Sequence, residues 1–192
     1  MPPILLASSS RYRRALMEKL ELPFIWESPD IDETPNPGET ACALVERLAR
    51  SKAAALAKHY PGHLIIGSDQ AATLDGRILG KPGNAGNAFK QLKAASGRRV
   101  EFLTGLSLLN SATGEHQSLV EPFAVVFRQL DDETIERYLQ REQPFDCAGS
   151  FKAEGLGIAL FERLEGNDPN ALIGLPLIRL TDLLARAGVP VI

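Results

Sequence analysis

Three kinds of residue follow one another near the start of the chain: an apolar segment over Ile4–Ala7, three serines over Ser8–Ser10 and a basic stretch over Arg11–Arg14. The pattern predicts a strand, a tight turn and a helix. Such a turn suits phosphate, because small hydroxyls let the backbone approach an anion and the helix points unpaired N–H groups at it. Arg13 or Arg14 can then donate charge-assisted hydrogen bonds to the phosphate oxygens. The alternative is an exposed turn followed by a solvated basic helix face.

Lys52 occupies an unusual place on a long helix that is predicted over residues 40–59. It falls on the apolar stripe of that helix, four residues after Leu48 and three before Ala55. Burial of an ammonium group costs free energy unless an anion meets it. A lysine near a helix end could extend its side chain to solvent, but Lys52 lies in the middle. The position therefore indicates an anion nearby.

Asp69 and Lys81 are two further charged candidates. Asp69 follows a buried-strand pattern over 63–67, and a second short strand is predicted over 71–74. Open α/β sheets bind ligands where their strands end, although an acid after a strand also serves as a turn cap. Lys81 lies in a Gly-Pro loop that would hold it stiffly, while an ordinary surface lysine is the alternative.

These residues together suit the hydrolysis of a phosphoanhydride bond. Cations offset the charge on phosphates, while carboxylates hold a divalent ion or position the attacking water. No glycine-rich run ends in Lys followed by Ser or Thr, which argues against kinase or GTPase chemistry of the P-loop type. The candidate set comprises cations, hydroxyls and acids: Arg13, Lys52, Lys81, Ser8, Ser10, Glu33 and Asp69.

Length and composition narrow the classes of protein. A chain of 192 residues with 44% hydrophobic content fits one domain over residues 1–192. The formal net charge of -3 argues against a general nucleic-acid binder. Only Cys42 and Cys147 are cysteines and no secretory segment is apparent, so we expect free thiols and a cytoplasmic location. No apolar run is long enough to cross a membrane.

Helix and strand patterns intermix along the chain, which predicts a mixed α/β sheet flanked by helices. The alternation over 99–127 favours long antiparallel strands. Further on, the pattern predicts a strand over 158–164, a loop over 166–170 and a closing helix over 175–187.

The chain resembles the Maf family of nucleoside triphosphate pyrophosphatases nearly from end to end. The resemblance implies a curved mixed sheet, two lobes with a central cleft, a homodimer, and a divalent metal such as magnesium or manganese. One departure is Arg11, where the family usually has proline. The matching segments are Leu6–Ser10, Arg13–Arg14, Ile31–Glu33, Arg47–Ala49, Lys52–Ala53, Ile66–Gln70, Gly80–Pro82, Cys147–Lys152 and Asp168–Asn170.

The resemblance also implies roles for individual residues. Asp69 would be the proton acceptor. Glu33 and Asp69 are our candidate metal ligands, and whether Asp69 acts as base, metal ligand or both stays open at this point. The triphosphate would lie against Ser8, Arg13, Glu33, Lys52 and Lys81.

The closest similarity is to the branch of the family that acts on 7-methyl-GTP, in which base choice is ascribed to the positions of Tyr12, Gln70 and Glu154. A 7-methylated guanine is positively charged, so an aromatic ring such as that of Tyr12 attracts it. A carboxylate such as Glu154 accepts hydrogen bonds from N1–H and N2–H of the base. The alternative for Tyr12 is that its ring only packs in the core at the start of the helix. The alternative for Glu154 is that it is a solvated acid in a loop.

Other functions stay open at this point. Hydrolysis of other modified or canonical nucleotides, such as dTTP or UTP, would use the same phosphate site. A regulator that binds nucleotide without catalysis would keep the cations but have no use for Asp69. A stable nucleic-acid partner is not expected, because the chain is acidic and has few aromatic residues.

Overall fold

The computed structural model describes all 192 residues, which form seven strands and six helices. The strands are β1 (Ile4–Ala7), β2 (Phe24–Glu27), β3 (Leu64–Leu74), β4 (Arg77–Leu79), β5 (Arg99–Asn110), β6 (His116–Phe127) and β7 (Phe161–Gly166). The helices are α1 (Arg11–Glu18), α2 (Ala41–Leu56), α3 (Ala85–Ala95), α4 (Asp132–Glu142), α5 (Pro169–Ile173) and α6 (Leu177–Arg186).

All strands belong to one mixed sheet in the order β2-β1-β3-β5-β6-β7, with β4 paired to part of β3. The pairs of β1 with β2 and of β1 with β3 are parallel, and the remaining pairs are antiparallel. This sheet and its flanking helices confirm the predicted α/β class. None of the helices has the length and apolar character that crossing a membrane requires.

Strand β3 has two different partners along one of its edges. Residues Leu64–Gly67 pair with β1, and Ala72–Leu74 pair with β4. Between them, residues 68–71 have no strand partner on that side, while their other edge pairs with β5 throughout. The sheet thus forks around the middle of β3.

Asp69 lies inside β3, so the prediction that it follows one strand and precedes another was wrong. The continuous ladder to β5 keeps the backbone extended through Asp69, whose register partner is Gly105. The apolar pattern breaks here because the fork opens to the surface, not because the strand ends. Asp69 nevertheless lies just beyond the C-terminal end of the neighbouring strand β1.

The two faces of the sheet are covered by different helices. Helix α2 packs on one face, where Ile65 and Leu5 contact Ala53 and Leu56. The other face carries two larger hydrophobic clusters, one under α1 and α6 and one under α3 and α4. Successive side chains of a strand point to opposite faces, so Asp69 points to the side of α2.

Two glycines let α2 lie directly against the sheet. A Cβ atom built on Gly67 would lie 2.0 Å from the carbonyl oxygen of Ala49, and one on Gly105 would lie 2.1 Å from that of Val45. Both contacts are with backbone, which cannot move aside without moving the helix. The absent side chains therefore set the depth at which α2 presents Lys52 to the sheet.

The last part of the chain differs from the sequence prediction. The residues predicted as a loop continue into a short helix, α5, and α6 covers a shorter range than predicted. The buried carboxylate of Asp168 stabilises both, accepting hydrogen bonds from the backbone N–H groups of Asn170 at 2.9 Å and Ile178 at 2.7 Å. Strand β7 begins at Phe161, after a 3-10 turn over Leu156–Leu160.

The close contact between α2 and the sheet yields a stability prediction. We expect Gly67→Ala to lower the free energy of unfolding by about 1–3 kcal/mol or more, because the new methyl group must displace α2. Urea denaturation measures the change. Gly86→Ala is the matched control, since its new methyl group meets no atom closer than 3.6 Å. Equal stability of the two variants would contradict the packing argument.

Candidate active site

A cleft of about 660 Å³ opens at the fork of the sheet. Its walls come from the turn between β1 and α1, from α2, from the middle of β3, from the loop after β4 and from the segment 146–154. The cleft collects every residue that the sequence proposed for the site: Ser8, Ser10, Tyr12, Arg13, Glu33, Lys52, Asp69, Gln70, Lys81 and Glu154.

Lys52 forms the centre of the charged end of the cleft. Its Nζ atom lies 2.7 Å from Oδ1 of Asp69 and 2.8 Å from Oε1 of Glu33. Lys52 is only 7% exposed, as its place on the apolar stripe predicted. The anion that this burial required is present, and it consists of two carboxylates from different parts of the fold.

Glu33 reaches Lys52 from the long loop between β2 and α2. Its partial burial alone would raise its pKa, but the hydrogen bond and charge of Lys52 outweigh that effect. The charges of Lys81 and Arg13 act in the same direction, so the pKa of Glu33 lies below its ordinary value. Glu33 is therefore an anion at neutral pH, and its carboxylate interacts electrostatically with all three cations.

Arg13 approaches the same point from the opposite face of the sheet. Its Nε atom donates a hydrogen bond of 2.8 Å to the carbonyl oxygen of Gly174, which also accepts one of 2.9 Å from Ser68. Burial lowers the pKa of Arg13, while the charges of Asp69 and Glu33 oppose that shift. An arginine stays protonated in proteins, so the cleft has a fixed cation on each side of β3.

The serine turn forms the end of the cleft next to Arg13. Helix α1 begins at Arg11, as predicted, and Ser10 caps it by accepting a hydrogen bond from the backbone N–H of Arg13 at 3.4 Å. The hydroxyl of Ser8 accepts the N–H of Ser10 at 3.1 Å. The first N–H groups of a helix have no partner inside the helix, and here they open on the cleft.

Lys81 is exposed at the mouth of the cleft, in the loop after β4. Its charge contributes to the lowered pKa of Glu33, which places the ammonium group in the same electrostatic neighbourhood. Lys52 thus pairs directly with both carboxylates, and the charges of Arg13 and Lys81 both act on Glu33.

A second group of side chains that line the cleft has a different character. The ring of Tyr12 is half-buried in its wall, while the buried residues of α1 are Leu16 and Met17. Glu154 is exposed there and forms no ion pair. An aromatic face and a free carboxylate therefore line the same space, as base recognition would need.

Sequence reasoning missed Asp146 and the role of its neighbour Cys147 in this wall. Asp146 is exposed, lines the cleft and has no ion-pair partner. Burial, together with the nearby charge of Asp146, raises the pKa of Cys147 to about 12, so this thiol is protonated at neutral pH. The family resemblance marks the sequence only from Cys147 onward, and no local pattern marks Asp146, which the fold brings into the wall of the cleft.

Gln70 lines the cleft, but its amide nitrogen is already engaged. It donates to the carbonyl oxygens of Ala171 at 2.7 Å and Leu172 at 3.2 Å, and to the hydroxyl of Thr104 at 3.1 Å. Thr104 donates to Ala171 as well, at 2.9 Å. These bonds attach α5 to the sheet, so Gln70 and Thr104 support the loop that holds Gly174 against Arg13. The role of Gln70 in base choice stays a prediction.

The carboxylates of the cleft fit a divalent metal that takes only part of its ligands from the protein. Glu33 and Asp69 offer the hard oxygen ligands that magnesium and manganese prefer. No group of three or more acidic, histidine or cysteine side chains could hold an ion by itself. Such a donor set suits an ion that also takes ligands from substrate phosphates and water.

Comparisons with known proteins identify the family and the relatives of this chain. The model of the family described as Maf-like protein matches residues 3–187. A protein of Pseudomonas syringae pv. tomato named 7-methyl-GTP pyrophosphatase is 64% identical, with full coverage of both chains. A protein of the same name from Alcanivorax borkumensis is 60% identical over 98% of this chain and 95% of its own length, and one from Pseudomonas aeruginosa is 58% identical over the full length of both.

The family match covers nearly the whole chain, and the relatives align with it over almost their entire length. All but one of the segments that carry the resemblance in sequence contribute residues to the lining of the cleft, and the exception is Asp168–Asn170. The chain therefore belongs to the Maf family.

Proposed function

We propose that this protein is a nucleoside triphosphate pyrophosphatase that hydrolyses 7-methyl-GTP to 7-methyl-GMP and pyrophosphate. The observation that carries the proposal is that one cleft holds two groups of side chains of different character. One group is the cations Arg13, Lys52 and Lys81 with two carboxylates, and the other is the ring of Tyr12, with Arg11 against it, and two unpaired carboxylates. The names of the full-length relatives support the same substrate.

The polarity of the cleft matches the polarity of the substrate. A triphosphate is negatively charged, and fixed cations that replace its hydration shell stabilise it most strongly. The 7-methylated base carries positive charge, which an aromatic face attracts by about 0.5–2 kcal/mol. The carboxylate of Glu154 can accept the N1–H and N2–H groups, and Asp146 adds a second negative charge to that group.

In the reaction, water attacks the α-phosphorus and the bond to the β-phosphate oxygen breaks. We assign to Asp69 the role of accepting the proton of that water, with Lys52 fixing the carboxylate at 2.7 Å. Arg13, Lys52 and Lys81 stabilise the charge on the transferring and leaving groups. Nucleoside monophosphate and pyrophosphate are the products, and the backbone N–H groups at the start of α1 help to bind the phosphates.

A divalent ion, magnesium or manganese, belongs to this proposal as a cofactor. Glu33 and Asp69 would hold it together with phosphate oxygens of the substrate. When bound, it would polarise the phosphates and neutralise part of their charge. Two carboxylates without further protein ligands favour an ion that arrives with the nucleotide.

Three further expectations accompany the function. We propose a homodimer, no stable nucleic-acid partner and a cytoplasmic location. The family resemblance supports the homodimer. The net charge of -3 argues against a nucleic-acid partner, and the two free cysteines support the cytoplasmic location.

Asp69→Asn tests the assignment of the proton acceptor. The amide keeps the size of the side chain but cannot take a proton, so we expect pyrophosphate release to fall by about 10²–10⁴-fold. Binding of 7-methyl-GTP, measured by calorimetry, should change far less. Asp75→Asn is the matched control, because Asp75 lies in the exposed turn between β3 and β4. Unaltered turnover in Asp69→Asn would remove the assignment.

The double variant Tyr12→Arg with Glu154→Gln tests base recognition. It replaces the aromatic face by a cation and the carboxylate by a neutral amide, so we expect preference to move from 7-methyl-GTP toward pyrimidine triphosphates such as dTTP and UTP. The measurement is kcat/KM over a panel of canonical and methylated triphosphates. Glu162→Gln, in exposed strand β7, is the control for the loss of one acid. An unchanged substrate ranking would refute the argument.

A further inference from the structure

Arg11 contacts the aromatic ring that the base would use. It is the first residue of α1, is exposed and lines the cleft. Its Cζ atom lies 4.8 Å from the centre of the Tyr12 ring, and its Nη2 atom donates a hydrogen bond of 2.8 Å to the Tyr12 hydroxyl. A planar cation from the chain itself therefore covers part of the ring of Tyr12.

The surroundings give Arg11 no stronger partner elsewhere. It forms no ion pair, so its two contacts with Tyr12 are its specific interactions. The hydrogen bond to Tyr12 raises the pKa of Arg11, and the charge of Asp146 adds a smaller effect in the same direction. The same aromatic ring and the same acid belong to the group of cleft residues assigned above to a cationic base.

We infer that Arg11 is an intramolecular competitor for the base subsite, an inference that rests on the proposed function. A guanidinium group and a 7-methylated guanine are both planar, delocalised cations that an aromatic face attracts. Both cannot cover the same part of the Tyr12 ring. A bound base must displace Arg11, and the displaced cation stays tethered nearby, where it opposes a charged base more than a neutral one.

This arrangement makes Arg11 a residue that determines affinity and specificity, not a catalytic residue. An exposed cation–π contact contributes about 0.5–1 kcal/mol, which corresponds to about a two- to fivefold change in affinity. Removal of the competing charge should therefore improve binding of the base without changing the chemical step. The effect should be larger for 7-methyl-GTP than for GTP.

Arg11→Gln tests the inference directly. We expect KM for 7-methyl-GTP to fall by about two- to fivefold with kcat unchanged, and KM for GTP to fall less. Calorimetric titration with 7-methyl-GMP should give the same gain in affinity, and this measurement does not depend on turnover. Arg137→Gln, on the exposed face of α4, removes the same charge far from the cleft and should change neither quantity.

A double-mutant cycle separates competition from general electrostatics. In a Tyr12→Leu background, where no ring remains to be covered, Arg11→Gln should improve the affinity for 7-methyl-GMP clearly less than it does with Tyr12 present. An equal gain in both backgrounds would overturn the inference, as would unchanged or weaker binding of 7-methyl-GMP by Arg11→Gln alone. Lack of 7-methyl-GTP hydrolysis by the unaltered protein would instead refute the proposed function, and the calorimetric result would still decide the role of Arg11.

Discussion

The site depends on one buried ammonium group, that of Lys52, and on the two carboxylates that meet it. A lysine that is 7% exposed loses most of its hydration, and only close anions offset that loss. Asp69 and Glu33 do so at 2.7 and 2.8 Å. Removal of one partner from a buried pair typically costs about 3–5 kcal/mol because the other charge is left uncompensated, which applies to Lys52 and Asp69. The side chain of Glu33 is 58% exposed, so its contribution is smaller. A triphosphate that enters the cleft then meets charges that are already in place.

The charges meet where β1 and β4 diverge along one edge of β3, and not at the end of a strand. Strand β3 continues through Asp69 because β5 pairs with it along its length, while β1 and β4 leave its other edge free over residues 68–71. The gap lets Lys52 approach from one face and Arg13 from the other. Two glycines, Gly67 and Gly105, allow α2 to lie close enough for Lys52 to reach the strand.

Much of the charged end could be predicted from local patterns. Lys52 was recognisable because a cation on an apolar helix stripe requires an anion, and the Ser8–Arg14 segment because strand, turn and helix follow each other without interruption. Asp69 was assigned to the correct neighbourhood but to the wrong backbone setting. The fork is a property of which strands pair, and the sequence near Asp69 carries no sign of the ladder to β5.

The group of cleft residues around Tyr12 was harder to foresee. Tyr12 and Glu154 entered through family resemblance, whereas Asp146 has no distinguishing local pattern. It reaches the cleft because the segment that follows α4 folds back toward α1. The supporting bonds of Gln70 and Thr104 to α5 also join residues far apart in sequence, up to 102 positions for Gln70 and Leu172. Such contacts follow from tertiary packing alone.

The most direct test of the account is a crystal structure of the protein with a 7-methyl-GTP analogue in which a methylene group replaces the oxygen between the α- and β-phosphates. We expect phosphate oxygens within hydrogen-bond distance of Arg13, Lys52 and Lys81. The α-phosphorus should lie nearest Asp69, and the base should lie on the ring of Tyr12. A triphosphate bound away from Lys52, or a reversed nucleotide with its base among the cations, would contradict it.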